Sequence, residues 1–168
     1  MVHDTRLTQE LRSLLFDQRV ATLGSLNQDG TPMVSMVPFA ISPVDPCLVI
    51  HVSGLAAHTA NLLARPAVSL LVMRPELPGE PVHALSRATL EGRATLLVRD
   101  SASWSTCRAS YLARFPEAEP MTELGDFMFI AIHLQGARQI AGFGSARSIS
   151  THELAQLLTD GNQTPSSF

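Results

Sequence analysis

The chain predicts a mainly β fold with peripheral helices, in which six or seven antiparallel strands build a small barrel. Three observations carry this expectation. Short apolar runs of strand length recur along the chain, most of them separated by turn residues rather than long helices. One pair of runs flanks Asn27-Gln28-Asp29-Gly30, whose Asp-Gly step supplies the positive φ that a tight hairpin needs. A length of 168 residues at 45% hydrophobic content supports one continuous core, and no repeat or linker divides it.

Each element follows from local pattern. Leu7, Leu11, Leu14 and Leu15 stand at helical spacing, which predicts an amphipathic helix from about Thr5 to Phe16 across one end of the sheet. Arg19 to Leu26 and Thr31 to Ile41 are the strands of the Asp-Gly hairpin. Pro38 has no ladder donor, so it belongs at a bulge or exposed edge, where backbone groups can face a ligand. Cys47 to Ser53 reads as a third strand, Gly54 as a turn, and Ala56 to Ala64 as a helix ended by Pro66. A fourth strand, Ala67 to Met73, leads through the polar, proline-rich loop Arg74 to Pro81 into a long fifth strand from about Ser86 to Val98.

Asp100 to Pro116 is helical in pattern. Its stripe of Trp104, Cys107, Tyr111 and Phe115 at spacings of three and four reads as core contact. The segment Glu117 to Asp126 carries four acids and no base, the pattern of a solvated loop. Phe127 to Leu134 and Ala137 to Ala141 are expected to pair as a hairpin punctuated by Gly136 and Gly142-Phe143-Gly144. Ser150 and Glu153 form a capping box for a last helix through Leu158. Residues 1–160 thus make a single domain, and 161–168 a frayed tail.

Composition removes several functions. A net charge of −3 leaves no basic surface for a nucleic acid. No apolar run approaches the roughly 20 residues of a membrane span, and the N-terminus lacks a signal-like stretch, so a cytoplasmic setting without membrane contact is expected. All twelve basic residues are Arg, which excludes a lysine Schiff base and a P-loop lysine. Cys47 and Cys107 belong to no CxxC pair and read as reduced packing residues. Zinc-protease, nucleophile-elbow and P-loop motifs are absent.

The most informative segment is His51-Val52-Ser53-Gly54-Leu55-Ala56-Ala57-His58-Thr59-Ala60-Asn61, a strand passing through a glycine turn into a helix. Free N–H groups at a helix start attract anions, and Ser53, Thr59 and His58 add hydroxyls and an imidazole. Arg87, opening the fifth strand, offers a guanidinium suited to phosphate, although a surface ion pair explains it equally well.

In their order and spacing, these segments resemble the pyridoxamine 5′-phosphate oxidase-like, FMN-binding split barrels, closest to the haem-utilisation (HugZ-like) branch. The resemblance covers roughly residues 8 to 150 and is carried by Arg19 to Ile41, Leu48 to Val72, Ser86 to Leu97 and Phe127 to Arg147. It implies FMN at a homodimer interface, lined by Ser35, Met36, Val37 and Pro38 and held by Ser53, Ala57, His58, Thr59, Asn61 and Arg87. The C-terminal Trp and Arg-x-x-Arg-type motif of the true oxidases is missing, and Ala57-His58 replaces their Arg-Lys pair. The first expectation is therefore an FMN-dependent oxidoreductase of a small-molecule substrate, distinct from pyridoxamine phosphate oxidase, with Gly142, Phe143 and Arg147 beside the flavin. The alternative implied by the resemblance is haem binding or breakdown, with His51, His58, His133 or His152 toward iron. A non-catalytic flavin-binding or interaction module is the third reading.

Overall fold

The computed structural model describes residues 5–160, so the expected tail at 161–168 lies outside the described residues. Helix α1 (Arg6–Asp17) opens the chain, with Thr5 accepting from the Thr8 N–H as its cap. Strands β1 (Val20–Leu26), β2 (Pro32–Pro38), β3 (Ala40–Ser42) and β4 (Cys47–Ser53) follow, then α2 (Ala57–Ala64), β5 (Ala67–Met73) and β6 (Arg87–Leu96). Next come α3 (Ala102–Arg114), the short α4 (Glu119–Thr122), β7 (Phe127–Ile140), β8 (Ala146–Ser150) and α5 (Thr151–Asp160).

All strand pairs are antiparallel, in the order β2-β1-β5-β6-β7-β4-β3, with β8 on β7. The sheet curls until β2 comes close to β4 without pairing with it, giving a half barrel with a seam. Alternation sorts the side chains. Leu23, Ile50, Leu70, Leu90 and Ile132 fill the interior with α1 and α5. On the outer face of β4 and β7, Val49, Phe129 and Ala131 pack beneath Cys107, Tyr111 and Phe115 at the α3 end of the molecule.

Three regions differ from expectation, the first being Glu117 to Asp126, expected as a solvated loop and found to carry α4 with Thr122 buried. The strand predicted over residues 31–41 breaks at buried Phe39, whose N–H turns to the Arg19 carbonyl (3.1 Å), so Pro38 ends β2 at a sheet edge as its missing donor requires. The hairpin expected around Gly136 is instead one 14-residue strand, β7, and its partner is β8. The irregularity sits across from it, at Glu91/Gly92 of β6. A Cβ on Gly92 would stand 2.8 Å from Ile132 Cγ2 and 3.0 Å from the His133 carbonyl, so the close approach needs glycine. The true turn holds Gly142 and Gly144 at φ 121° and 71°.

Candidate functional site

The seam brings most of the anticipated site together. β3 pairs with β4 only from Cys47 to Val49, so Ile50 to Ser53 continue past it, and the chain then turns into α2. β2 is the opposite sheet edge and, among the described residues, pairs with β1 alone. Asn61 fastens α2 to the first hairpin: its buried amide donates to Ser25 Oγ (3.1 Å) and Asn27 Oδ1 (3.0 Å) and lies 3.5 Å from Met33 Sδ. On β2, Val37 is buried, Met36 is exposed, and Ser35 Oγ is buried without a hydrogen-bond partner. An open apolar cleft of about 350 Å³ runs over this hairpin, lined by Gly24, Leu26, Pro32, Met33, Val34 and Ala67 among others.

Chemistry at the start of α2 differs from a phosphate cradle. Ser53 Oγ donates to the Asp126 carboxylate (3.2 Å) and accepts from the Leu55 N–H (3.2 Å). Thr59 Oγ1 donates inward to the Ser53 carbonyl (2.7 Å). Neither hydroxyl therefore points a free proton at an anion. Ala57 is exposed, and Ala56 gives the helix no side-chain cap. Burial pushes the half-buried His58 imidazole below its ordinary value, which keeps it neutral at physiological pH. The Gly54 N–H donates to the Asp126 carbonyl (2.6 Å), and a Cβ there would meet that oxygen at 3.1 Å, so glycine brings the acid against the junction. Asp126 is the residue that sequence reasoning missed. It stood at the end of an acidic loop, and the available signal was the strand beginning at Phe127, which pairs with Ser53.

Arg87 is not brought to this junction. Its register partner on β7 is Ile140, whereas that of Ser53 is Phe127, so the two sit at opposite ends of a strand whose extended length is about 45 Å. The Arg87 guanidinium folds back onto the Leu85 carbonyl (2.8 Å). Arg147 is likewise committed, to Gln139 (2.9 Å) and Glu153 (2.6 Å), while Phe143 is exposed at the β7–β8 turn. Of the other candidate histidines, His51 is buried against Tyr111, Phe127 and Phe129, with Nδ1 unpartnered. His133 borders a hollow of only about 200 Å³ beside α5, and His152 is exposed on α5 itself.

Comparison with known proteins fits this chemistry. The pyridoxamine 5′-phosphate oxidase family profile matches residues 7–141. The haem oxygenase HutZ of Vibrio cholerae is 27% identical over 154 residues, covering 91% of this chain and 86% of that protein. The chloroplastic haem oxygenase HOZ of Arabidopsis thaliana is 35% identical over 142 residues, which span 82% of this chain but only 41% of that protein. Among solved structures, a haem-binding protein from Mycobacterium smegmatis superposes with a TM-score of 0.81 at 26% identity, covering 92% of this chain and 62% of that one. These relatives correct the expectation of FMN. The FMN cofactor, the FMN-dependent oxidoreductase activity and a homodimer holding FMN at its interface all give way to a haem-type relationship. The physical reason lies at the junction, where a dianionic phosphate would meet a carboxylate, a neutral imidazole and hydroxyls already engaged.

Proposed function

The chain belongs to the pyridoxamine 5′-phosphate oxidase family, and from that membership, together with its haem-named relatives, we propose that it binds haem and opens it oxidatively, haem being the substrate. The observation that carries this reading is the alignment with HutZ over nine-tenths of the chain, which includes both sides of the seam. The donor set fits the group. Among the described residues no cluster of three or more His, Cys, Asp or Glu side chains could hold a bare metal ion, whereas one neutral imidazole suffices for iron already held by a porphyrin. His58 is that imidazole: neutral, half-buried, and on the first turn of α2.

Bound haem would supply the iron and the oxidisable ring. The protein's own residues do the rest. His58 would offer a nitrogen to the iron. Asp126, accepting a hydrogen bond from Ser53, sets a carboxylate at the junction that would orient polar groups beside the ring. Exposed Val34 and Met36 and the cleft beside them give a flat apolar ring a place to leave water. The reading includes a cytoplasmic setting, in keeping with two free cysteines. Among the described residues no helix is long and apolar enough to cross a membrane.

Titration with haem tests this directly. The purified protein is expected to give a saturable Soret band that decays when a reductant is added in air. No band sinks the reading. A band that survives reductant and oxygen leaves binding without degradation, the role suggested by the description of the V. cholerae crystal structure as a haem storage protein. His58→Ala is expected to shift the Soret maximum and weaken binding about tenfold or more, as for loss of about 1.4 kcal/mol or more; an unmoved spectrum removes His58 from the iron.

A further inference from the structure

The two cysteines of the chain lie far apart in sequence, on the third predicted strand and the stripe of a later helix, yet the fold brings them into one buried cluster. Cys47 opens β4 and pairs across the hairpin with Ser42 of β3. Cys107, on α3, enters the same buried cluster as Cys47, and the two thiols lie close enough to shift one another's acidity, with the Ser42 hydroxyl acting on Cys107 as well. Both thiols are free and fully buried in one apolar cluster. That layer also contains the Ser42 hydroxyl, which lacks a hydrogen-bond partner of ordinary geometry. Flanking it, His51 Nδ1 is unpartnered beneath Tyr111. Unsatisfied polar groups weaken the α3 layer relative to the barrel interior, so α3 is the element whose fluctuation admits a small oxidant.

We propose that Cys47 and Cys107 are a redox modification site, in which a hydroperoxide converts the thiol pair into a disulfide that pins α3 to the β3–β4 hairpin. The order of events follows from how the two thiols act on each other. Their interaction lowers Cys107 and raises Cys47, so Cys107 is the first to act as a thiolate. Its sulfur attacks one peroxide oxygen; the S–O bond forms, the O–O bond breaks, and the departing oxygen leaves as water or alcohol with the thiol's proton. The Cys47 sulfur then attacks the sulfenic sulfur, the S–S bond forms, the S–O bond breaks, and water leaves with the second proton. Two thiols are oxidised and one peroxide is reduced. The two sulfurs share one buried cluster, and the bond they form has a length of about 2.05 Å. This site is independent of haem.

The test uses the full chain exposed to hydrogen peroxide, quenched, unfolded in denaturant and alkylated, with the masses of intact protein and peptides read out. The expected result is loss of both alkylatable thiols, a linked peptide pair containing Cys47 and Cys107, and a rise in Tm of roughly 5–10 °C that a reductant reverses. Cys47→Ala is expected to leave a sulfenic acid on Cys107 that dimedone traps. Two overturning results are available: both thiols still alkylated after exposure, or Cys107 carried to sulfinic acid in the wild-type chain while Cys47 stays free. Should Cys47→Ala fail to fold, the linked peptide in the wild-type chain decides alone.

Discussion

The two faces of β4 lead into two different kinds of interior. Leu48, Ile50 and Val52 point into the barrel, where the neighbours are aliphatic side chains together with Phe39. Cys47, Val49 and His51 point outward beneath α3, where the neighbours are thiols, a hydroxyl and aromatic rings. Burial is nearly equal on the two sides, since none of these six residues exceeds 9% exposure. Composition differs, and with it the response to solution conditions. The barrel interior answers to packing alone, whereas the α3 layer carries groups that titrate and oxidise.

The largest effect expected from this contrast is at Ile50. Ile50→Ala removes a fully buried side chain from the closed interior and is expected to cost about 2–5 kcal/mol, read from denaturant midpoints. Val49→Ala, one residue away and also fully buried, faces a helix that can settle into the space, and its expected cost is about half as large. Equal costs would show that the two layers are one energetic unit. The need for burial was legible in the sequence, because Cys47 to Val52 is almost uninterrupted in its apolar character and such a strand must be covered on both faces. Which element covered which face was not legible. The cover over Val49 and His51 comes from a helix far downstream, and no local spacing encodes that meeting.

His51 sharpens the comparison through pH. As a sequence it was one of four candidate iron ligands; in the fold it is walled in by Tyr111, Phe127 and Phe129. Burial first, then the Arg108 and Arg99 guanidinium groups, pushes it down to about 4. In the unfolded chain the imidazole titrates near its ordinary value of about 6.5. As pH falls through 6.5 the unfolded chain gains the proton and the folded one does not, so stability declines until the folded value is reached and then levels off. The expected loss between about pH 6.5 and 4 is roughly 2–3 kcal/mol, beyond the background from carboxylates. His51→Phe keeps the aromatic packing and is expected to flatten that part of the profile. A slope unchanged by the substitution would place the pH sensitivity elsewhere.

The candidate site was legible to a similar degree. Residues 53–61 were recognisable as a strand-to-helix junction from Gly54 and the helix formers after it, and β2 as an edge from Pro38. The partner that changes the chemistry, Asp126, was hidden because only the β4–β7 register brings a carboxylate from an acidic loop onto Ser53. Arg87 shows the converse. A basic residue at a strand start is easy to notice, but its distance from the junction depends on how far β7 runs without turning, and Gly136 suggested a turn there.

The rim of the α3 layer provides the smallest expected effect and a check on where its strength resides. Arg19 pairs with Glu117 at 3.0 Å and lies over the Phe115 ring at 4.7 Å, with more than half of both charged side chains in water. Arg114, on α3 itself, is more enclosed: it donates to the Leu15, Phe16 and Gln18 carbonyls at the end of α1 and covers Phe39 at 4.9 Å. The more enclosed Arg114, on three carbonyls at the end of α1, couples α3 to α1 more firmly than the exposed Arg19, which pairs with Glu117 and donates to one helix-end carbonyl, that of Arg114 (3.3 Å). Arg19→Ala is therefore expected to change stability by about 0–1 kcal/mol, and by less in high salt. Arg114→Met leaves several carbonyls without their donor and is expected to cost more in the same denaturant titration. If Arg19→Ala proves the more damaging of the two, α3 is held by its exposed rim rather than by the cap it places on α1.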